Sequence, residues 1–179
     1  MQLNTLSMVH EFLRRTVKPG DFCIDATAGK GRDTALLCRL TGDAGRVLAF
    51  DIQEAAVAQT KALLAAEVIR DSHANMERYA MTETVDCVVF NFGRLPGGDP
   101  SIFTRLDTSV AALEAALWLL KPGGVIAIAL YYGGANGYGE RDAVMTWLET
   151  LDDRKFSVLR CDWANRRNDP PVPIFIWKE

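Results

Sequence analysis

The sequence predicts an α/β fold, a doubly wound and mostly parallel sheet of seven strands with helices on both faces and a C-terminal antiparallel hairpin. Three observations predict it. Short apolar runs alternate with stretches of helical spacing along most of the 179 residues, the pattern of strand–helix units in a parallel sheet. Val85–Asn91 (Val-Asp-Cys-Val-Val-Phe-Asn) is almost unbroken in its apolarity, as a strand covered on both faces requires. The last two apolar runs have no helical segment between them, so they should pair as a hairpin at one edge.

The elements follow in order. Leu3, Leu6, Val9, Phe12 and Leu13 recur at helical spacing, which predicts an amphipathic helix over residues 3–16. Lys18-Pro-Gly-Asp21 ends it in turn chemistry. Phe22–Asp25 is a short buried strand, followed by a glycine turn and a helix over Thr34–Leu40. Arg46–Asp51 is a second strand and Glu54–Ala65 an alanine-rich helix. Glu67–Asp71 reads as a short third strand and Val85–Asn91 as the fourth. Phe92–Pro100 is a Gly/Pro-rich loop, Thr108–Leu120 a long apolar helix, and Lys121-Pro-Gly-Gly124 its stop signal. Val125–Leu130 is a fifth strand, Tyr131–Gly139 a second glycine-rich loop, and Glu140–Leu151 a helix. Phe156–Cys161 and Ile174–Trp177 form the hairpin.

Bulk properties narrow the function. The length fits one domain. A net charge of -3 and a pI near 5.5 are not those of a protein that coats nucleic acid by bulk charge, although a local basic patch is compatible with them. The opening Met1-Gln-Leu-Asn-Thr-Leu lacks the features of a secretory signal, and the longest apolar stretch, Val110–Leu120, is broken by Glu114 and too short to span a membrane. Cys23, Cys38, Cys87 and Cys161 form no CxxC pair and lie in apolar runs, so they read as reduced core residues of a cytoplasmic protein. His10 and His73 are the only histidines and neither stands at ligand spacing from a cysteine, so no metal site is expected.

The chemistry concentrates in Asp25-Ala-Thr-Ala-Gly29-Lys-Gly31-Arg-Asp33. Ligands of open α/β sheets sit beyond the carboxyl ends of the strands, and this segment begins at such an end. Gly29 and Gly31 allow a tight turn and a close backbone approach to a ligand. Asp51 ends the second strand, where a carboxylate can accept both hydroxyls of a ribose. A phosphate-binding P-loop is excluded, because Lys30 is followed by glycine and position 24 is Ile. A dinucleotide site, and with it a nicotinamide-dependent oxidoreductase, is weakened and stays the lesser alternative. Asp51 stands about 20 residues after the glycines, as such a site also requires, but its third glycine is Thr34 here, and Asp33 puts a negative charge at the helix N-terminus that a pyrophosphate needs. S-adenosylmethionine has no phosphate and carries a sulfonium and an ammonium, which acidic groups favour. Each glycine alone would be an ordinary strand-to-helix turn; with Asp25, Asp33 and Asp51 the set favours this cationic cofactor.

The segment Asp25 to Thr34 resembles the DATAGNGxDT motif of a bacterial family labelled rRNA methylases, whose members are associated with N-methylation of the aminomethyl group on the modified wobble uridine of tRNA. Asp51-Ile-Gln53 resembles the family's DIQ, Asp71-Ser-His73 its D-S/G-H, Asn91 to Asp99 its NLGYLPGGD, and Tyr131 to Glu140 its Y-x-GH-x-GG-x-E loop. The resemblance spans almost the whole chain. It departs at Lys30, where the family has Asn, at Arg94, where Tyr is common, and at Gly133-Gly134, where a His is missing. It implies a Rossmann-like class I methyltransferase that uses S-adenosyl-L-methionine. The implied partner is the anticodon region of a tRNA as substrate; a homodimer is open, since the sequence does not reveal the oligomeric state. An rRNA or small-molecule methyltransferase is the other alternative.

By the resemblance, the family's cofactor contacts fall on Lys30, Asp33, Asp51, Gln53 and His73. With Asp25, Gly29, Gly31 and Asn91 these form the expected cofactor site. Asp33 would face the methionine ammonium, Gln53 the ribose or adenine edge, and His73 the adenine. His10 reads as a helix-packing or capping residue. Asn91 is the expected catalytic residue, since amino-methylating enzymes of this fold place the first residue of a (D/N)PPY motif at the end of the fourth strand. Here Phe-Gly-Arg follows, so the match is one of position. Its carboxamide oxygen could accept a hydrogen of the substrate amine. Phe92 and Tyr131 are candidates to stack on a base, and Arg94, Arg105, Arg166 and Arg167 to meet phosphates.

Overall fold

The computed structural model describes residues 3–63, 66–93, 106–132 and 134–179. In chain order its elements are α1 (Thr5–Thr16), β1 (Phe22–Asp25), α2 (Arg32–Thr41), β2 (Arg46–Asp51), α3 (Glu54–Leu63), β3 (Glu67–Arg70), a 3-10 helix (His73–Arg78), β4 (Val85–Phe92), α4 (Leu106–Leu119), β5 (Leu120–Leu130), α5 (Gly134–Glu149), β6 (Phe156–Arg160) and β7 (Val172–Lys178). The strands form one sheet in the order β3-β2-β1-β4-β5-β7-β6. The first five in that order run parallel, and β7 is antiparallel to both β5 and β6. The predicted doubly wound sheet with a terminal hairpin is therefore the observed one. The chain builds outward from β1 to β3, then crosses back to place β4 against the other side of β1. That reversal opens a crevice between β1 and β4 at their carboxyl ends, where open α/β sheets bind ligands.

Side-chain alternation sends neighbouring strand residues to opposite faces. Ile24, Leu48, Val88, Phe90, Ile126 and Ile128 pack with Leu113 and Leu119 of α4 and Val144 of α5. Cys23, Val47, Val89 and Ala127 pack instead with Val9 and Leu13 of α1 and Leu37 of α2. Asn4 caps α1, with its side chain accepting from the Ser7 amide at 2.9 Å and the Ser7 hydroxyl accepting from the Asn4 amide at 2.9 Å. Phe12 of α1 stacks on Phe175 of β7, with ring centroids 4.4 Å apart. The four cysteines are free; Cys23 and Cys87 are register partners on β1 and β4, both buried. Among the described residues, no helix is long and apolar enough to cross a membrane.

Three elements differ from the sequence expectation. Lys121-Pro-Gly-Gly124 does not merely stop α4; it lies within β5, which begins at Leu120 opposite Val85 and shifts register before Cys87 pairs with Val125. Gly123 there has φ +79°, and a Cβ on Gly124 would stand 2.9 Å from the Lys121 carbonyl oxygen. Residues 73–78 form a 3-10 turn, opened by the Ser72 hydroxyl accepting from the Ala74 amide. Most instructively, α5 starts at Gly134, inside the expected glycine-rich loop. Glycine lowers helix propensity by only about 1 kcal/mol, which packing can override. Gly137 is a tight position in this turn: a Cβ there would lie 3.1 Å from the Tyr132 Cα. The buried Glu140, hydrogen-bonded by the Ser109 hydroxyl, then ties α5 to α4.

Candidate active site

The glycine turn leaves β1 through Asp25, whose side chain is fully buried. One carboxylate oxygen accepts the Thr34 hydroxyl at 2.6 Å and the other the Thr27 amide at 3.1 Å. Burial pushes this carboxyl up to about 7; the charge of Asp33 adds to the rise, and the bonds from Thr34 and Thr27 oppose it. Asp25 therefore braces the turn from beneath. The expectation that its side chain touches the cofactor is corrected, because it has no exposed surface with which to do so. Gly29 (φ +51°) and Gly31 (φ +74°) both occupy the left-handed region, which is open to glycine at little cost. Gly31 caps α2 without a side-chain bond, and its amide donates to the Ala28 carbonyl at 2.7 Å. Lys30 between them is exposed.

Asp51 ends β2 and latches onto the turn. One oxygen accepts the Gly29 amide at 2.9 Å, and the other the Gln53 amide at 2.8 Å. A carboxylate has room for about four hydrogen bonds, so each oxygen keeps capacity for a ligand hydroxyl. Gln53 is half-buried at the same end. His73 opens the 3-10 turn, and its ring meets Phe90 and Phe92 edge-on, with centroids 6.3 and 6.0 Å away. Burial holds its imidazole below the ordinary histidine value, opposed by the Ala26 backbone and the Asp51 charge. Its Nε2 is buried and has no hydrogen-bond partner among the described residues.

Across the crevice, Asn91 sits near the end of β4. Its amide donates to the Thr27 hydroxyl oxygen at 2.7 Å, which joins β4 to the glycine turn. Its side-chain Nδ2 donates to Asp33 Oδ2. Asp33, in the first turn of α2, also meets His10 Nε2 through Oδ1, at 2.5 Å. The structure brings Asp33 and Asn91 into contact, and joins His10 and Thr27 to them. His10 was readable only as a helix residue, because its partner lies 23 positions away and depends on how α1 docks beside α2.

The far wall is aromatic. Tyr131 follows β5, is 38% exposed, and has its hydroxyl pushed up by partial burial and by the charge of Asp33. Gly93 fits beneath it, since a Cβ there would lie 2.9 Å from the Tyr131 Cβ. Phe92 does not join this wall. It is fully buried and stacks on Phe90 at 4.9 Å, so the expectation that it stacks on a base is corrected: its side of β4 faces the core. Arg94 and Arg105 lie outside the described residues. Arg141 of α5 covers the Tyr132 and Tyr138 rings at 4.8 and 5.1 Å. In the β6–β7 loop, Arg166 lies 3.6 Å over the Trp163 ring, and Tyr138 donates to Asp169 at 2.5 Å.

Residues 47–177 match the family described as "Putative rRNA methylase". The chain belongs to that family. Its relatives include the chloroplastic tRNA (mnm(5)s(2)U34)-methyltransferase of Arabidopsis thaliana, 33% identical over 96% of this chain and 68% of the relative. The crystal structure of a "putative rRNA-methylase" from Clostridium thermocellum superposes with a TM-score of 0.96, at 41% identity over the whole of both chains. A "putative methyltransferase" from Streptococcus mutans solved in complex with SAH superposes with a TM-score of 0.88, at 32% identity over the whole of both chains. The family member described here is an S-adenosylmethionine-dependent methyltransferase with the Rossmann-like fold of that class.

Proposed function

We propose that this methyltransferase acts on RNA, and that its substrate is the aminomethyl group of the modified wobble uridine in the anticodon region of tRNA. The observation that carries the reading is Asn91, set at the carboxyl end of β4 with its carboxamide at the crevice beside the glycine turn. The similarity to the Arabidopsis tRNA methyltransferase over 96% of the chain supports the choice of substrate. The residues present fit the cofactor. Asp51 has carboxylate capacity to spare for ribose hydroxyls, and the orphaned Nε2 of buried His73 fits a nearby polar edge such as that of adenine. Gly29, Lys30, Gly31, Asp33 and Gln53 complete the holding surface. Asp25 acts through the turn it braces.

When bound, S-adenosylmethionine supplies an electrophilic methyl group. The chain's own residues then have two tasks. Tyr131 offers an exposed ring against which a base can stack. Asn91 accepts an N–H of the substrate amine through Oδ1 and directs the nitrogen lone pair; such positioning supplies a large part of the rate in displacement reactions. No side chain need take the amine proton, because an exposed amine can shed it to water before binding.

The test is transfer of a labelled methyl group to bulk tRNA from a strain lacking the enzyme. Label in the wobble nucleotide is the expected result. Label found only in rRNA or in a small molecule would overturn the proposed substrate.

A further inference from the structure

Asp33 stands where three elements meet. It lies in the first turn of α2 and is 6% exposed. One oxygen meets Nε2 of His10 on α1, and the other meets Nδ2 of Asn91 on β4. A carboxylate offers only acceptors, so both neighbours must turn an N–H towards it. For His10 this selects the tautomer with hydrogen on Nε2. For Asn91 it selects one of two side-chain orientations that are nearly equal in shape and opposite in polarity. Nδ2 faces Asp33, and Oδ1 points the other way.

That choice matters for an amine substrate. An Asn91 turned the other way would present its own –NH2 to the hydrogens of the amine, donor against donor, and the lone pair would lose its guide. We infer that His10 and Asp33 are positioning residues that lock the polarity of the Asn91 carboxamide, with His10 holding Asp33 and Asp33 holding Asn91. The inference rests on the reading of Asn91 as acceptor for the substrate amine. Asp33 is held between α1 on one side and β4 on the other, so its two donors fix the carboxylate plane as well as its position. Thr27 anchors the Asn91 backbone, which leaves the side-chain torsion as the freedom that Asp33 removes.

The experiment compares His10→Ala with His10→Gln, using S-adenosylhomocysteine for binding and bulk tRNA from a strain lacking the enzyme for turnover. His10→Ala is expected to lower kcat about tenfold, with KM for tRNA and Kd for S-adenosylhomocysteine changed less than about twofold. His10→Gln can donate to the same oxygen and should recover most of that loss. An exchange provides a second arm: Asp33→Asn and Asn91→Asp together, at saturating cofactor, should exceed either single variant by at least about tenfold, because donor and acceptor are swapped and an oxygen again faces the amine. Unchanged kcat in His10→Ala, no recovery in His10→Gln, or no gain from the exchange would overturn the inference. So would equal loss of S-adenosylhomocysteine binding in both His10 variants, since His10 would then be supporting the cofactor site and not Asn91. Failure of the substrate reading is visible separately, as absence of tRNA methylation by the unaltered protein.

Discussion

The carboxyl end of the sheet has two unlike halves. Around β1 and β2 the groups are acidic, and backbone amides hold most of them: Asp25 by Thr27, Asp51 by Gly29 and Gln53, with Asp33 fixed by side chains. Around β5, α5 and the β6–β7 loop they are aromatic, with arginines over the rings: Tyr131, Tyr132 and Tyr138, Arg141 (paired with Asp142), Trp163 and Arg166. A net charge of -3 conceals this division. The acidic half suits a small cationic cofactor, and main-chain donors hold most of its carboxylates. The other half is built from side-chain contacts, the kind of surface that meets stacked bases and phosphates. Asn91 lies on the seam.

The contrast can be broken first at Asp25. Its folded carboxyl titrates near 7, above the ordinary 3.8, so burial favours the protonated form. Its contribution to stability is present below about pH 4 and is lost as pH rises through 7, by on the order of 4 kcal/mol. Asp25→Asn should remove this part of the pH dependence, read as the difference between variant and parent in urea unfolding at pH 4, 5.5 and 7.5. Next, Asp51→Ala removes the ribose acceptor and unlatches the Gly29 amide. Calorimetric titration should show S-adenosylhomocysteine binding weakened more than about 100-fold, the loss of roughly two charge-assisted hydrogen bonds. Asn91→Ala should separate the seam from the acidic half: turnover falls by about 100-fold while S-adenosylhomocysteine affinity changes less than threefold. Equal losses in binding for Asn91→Ala and Asp51→Ala would mean that the division does not exist. The smallest effect is expected in the aromatic half. Arg167 is exposed in the β6–β7 loop, and Arg167→Ala should raise KM for tRNA a few-fold and reduce the salt slope of binding by about 1, leaving cofactor affinity untouched.

The acidic half was the more legible in sequence. A strand-ending Asp, two glycines in a short turn and a second strand-ending Asp are local features, and local spacing reports them. The other half depends on contacts between distant segments. The glycines around Gly134 hide the start of α5, and the grip of Ser109 on Glu140, 31 positions away, exists only in the folded chain. Phe92 looked available for stacking because it follows a strand-ending Asn, yet β4 runs one residue further and turns that ring into the core. His10 is the plainest case. A single histidine on an amphipathic helix carries no spacing signal, and its role emerges only when α1 is set against α2.

The seating of α1 also bears on the order in which the molecule assembles. Its inner face rests on strands from the far end of the chain: Phe12 against Phe175 and Trp177, and the Thr5 hydroxyl on the Pro171 carbonyl, 166 positions away. Arg166 reaches back to the Leu3 carbonyl at 2.8 Å. Contacts of such long range close late, since the intervening loop entropy must be overcome first. Helix α1 is thus among the last elements to dock. Because it carries His10, the contact between His10 and Asp33 depends on how α1 is seated against β7 and the segment before that strand.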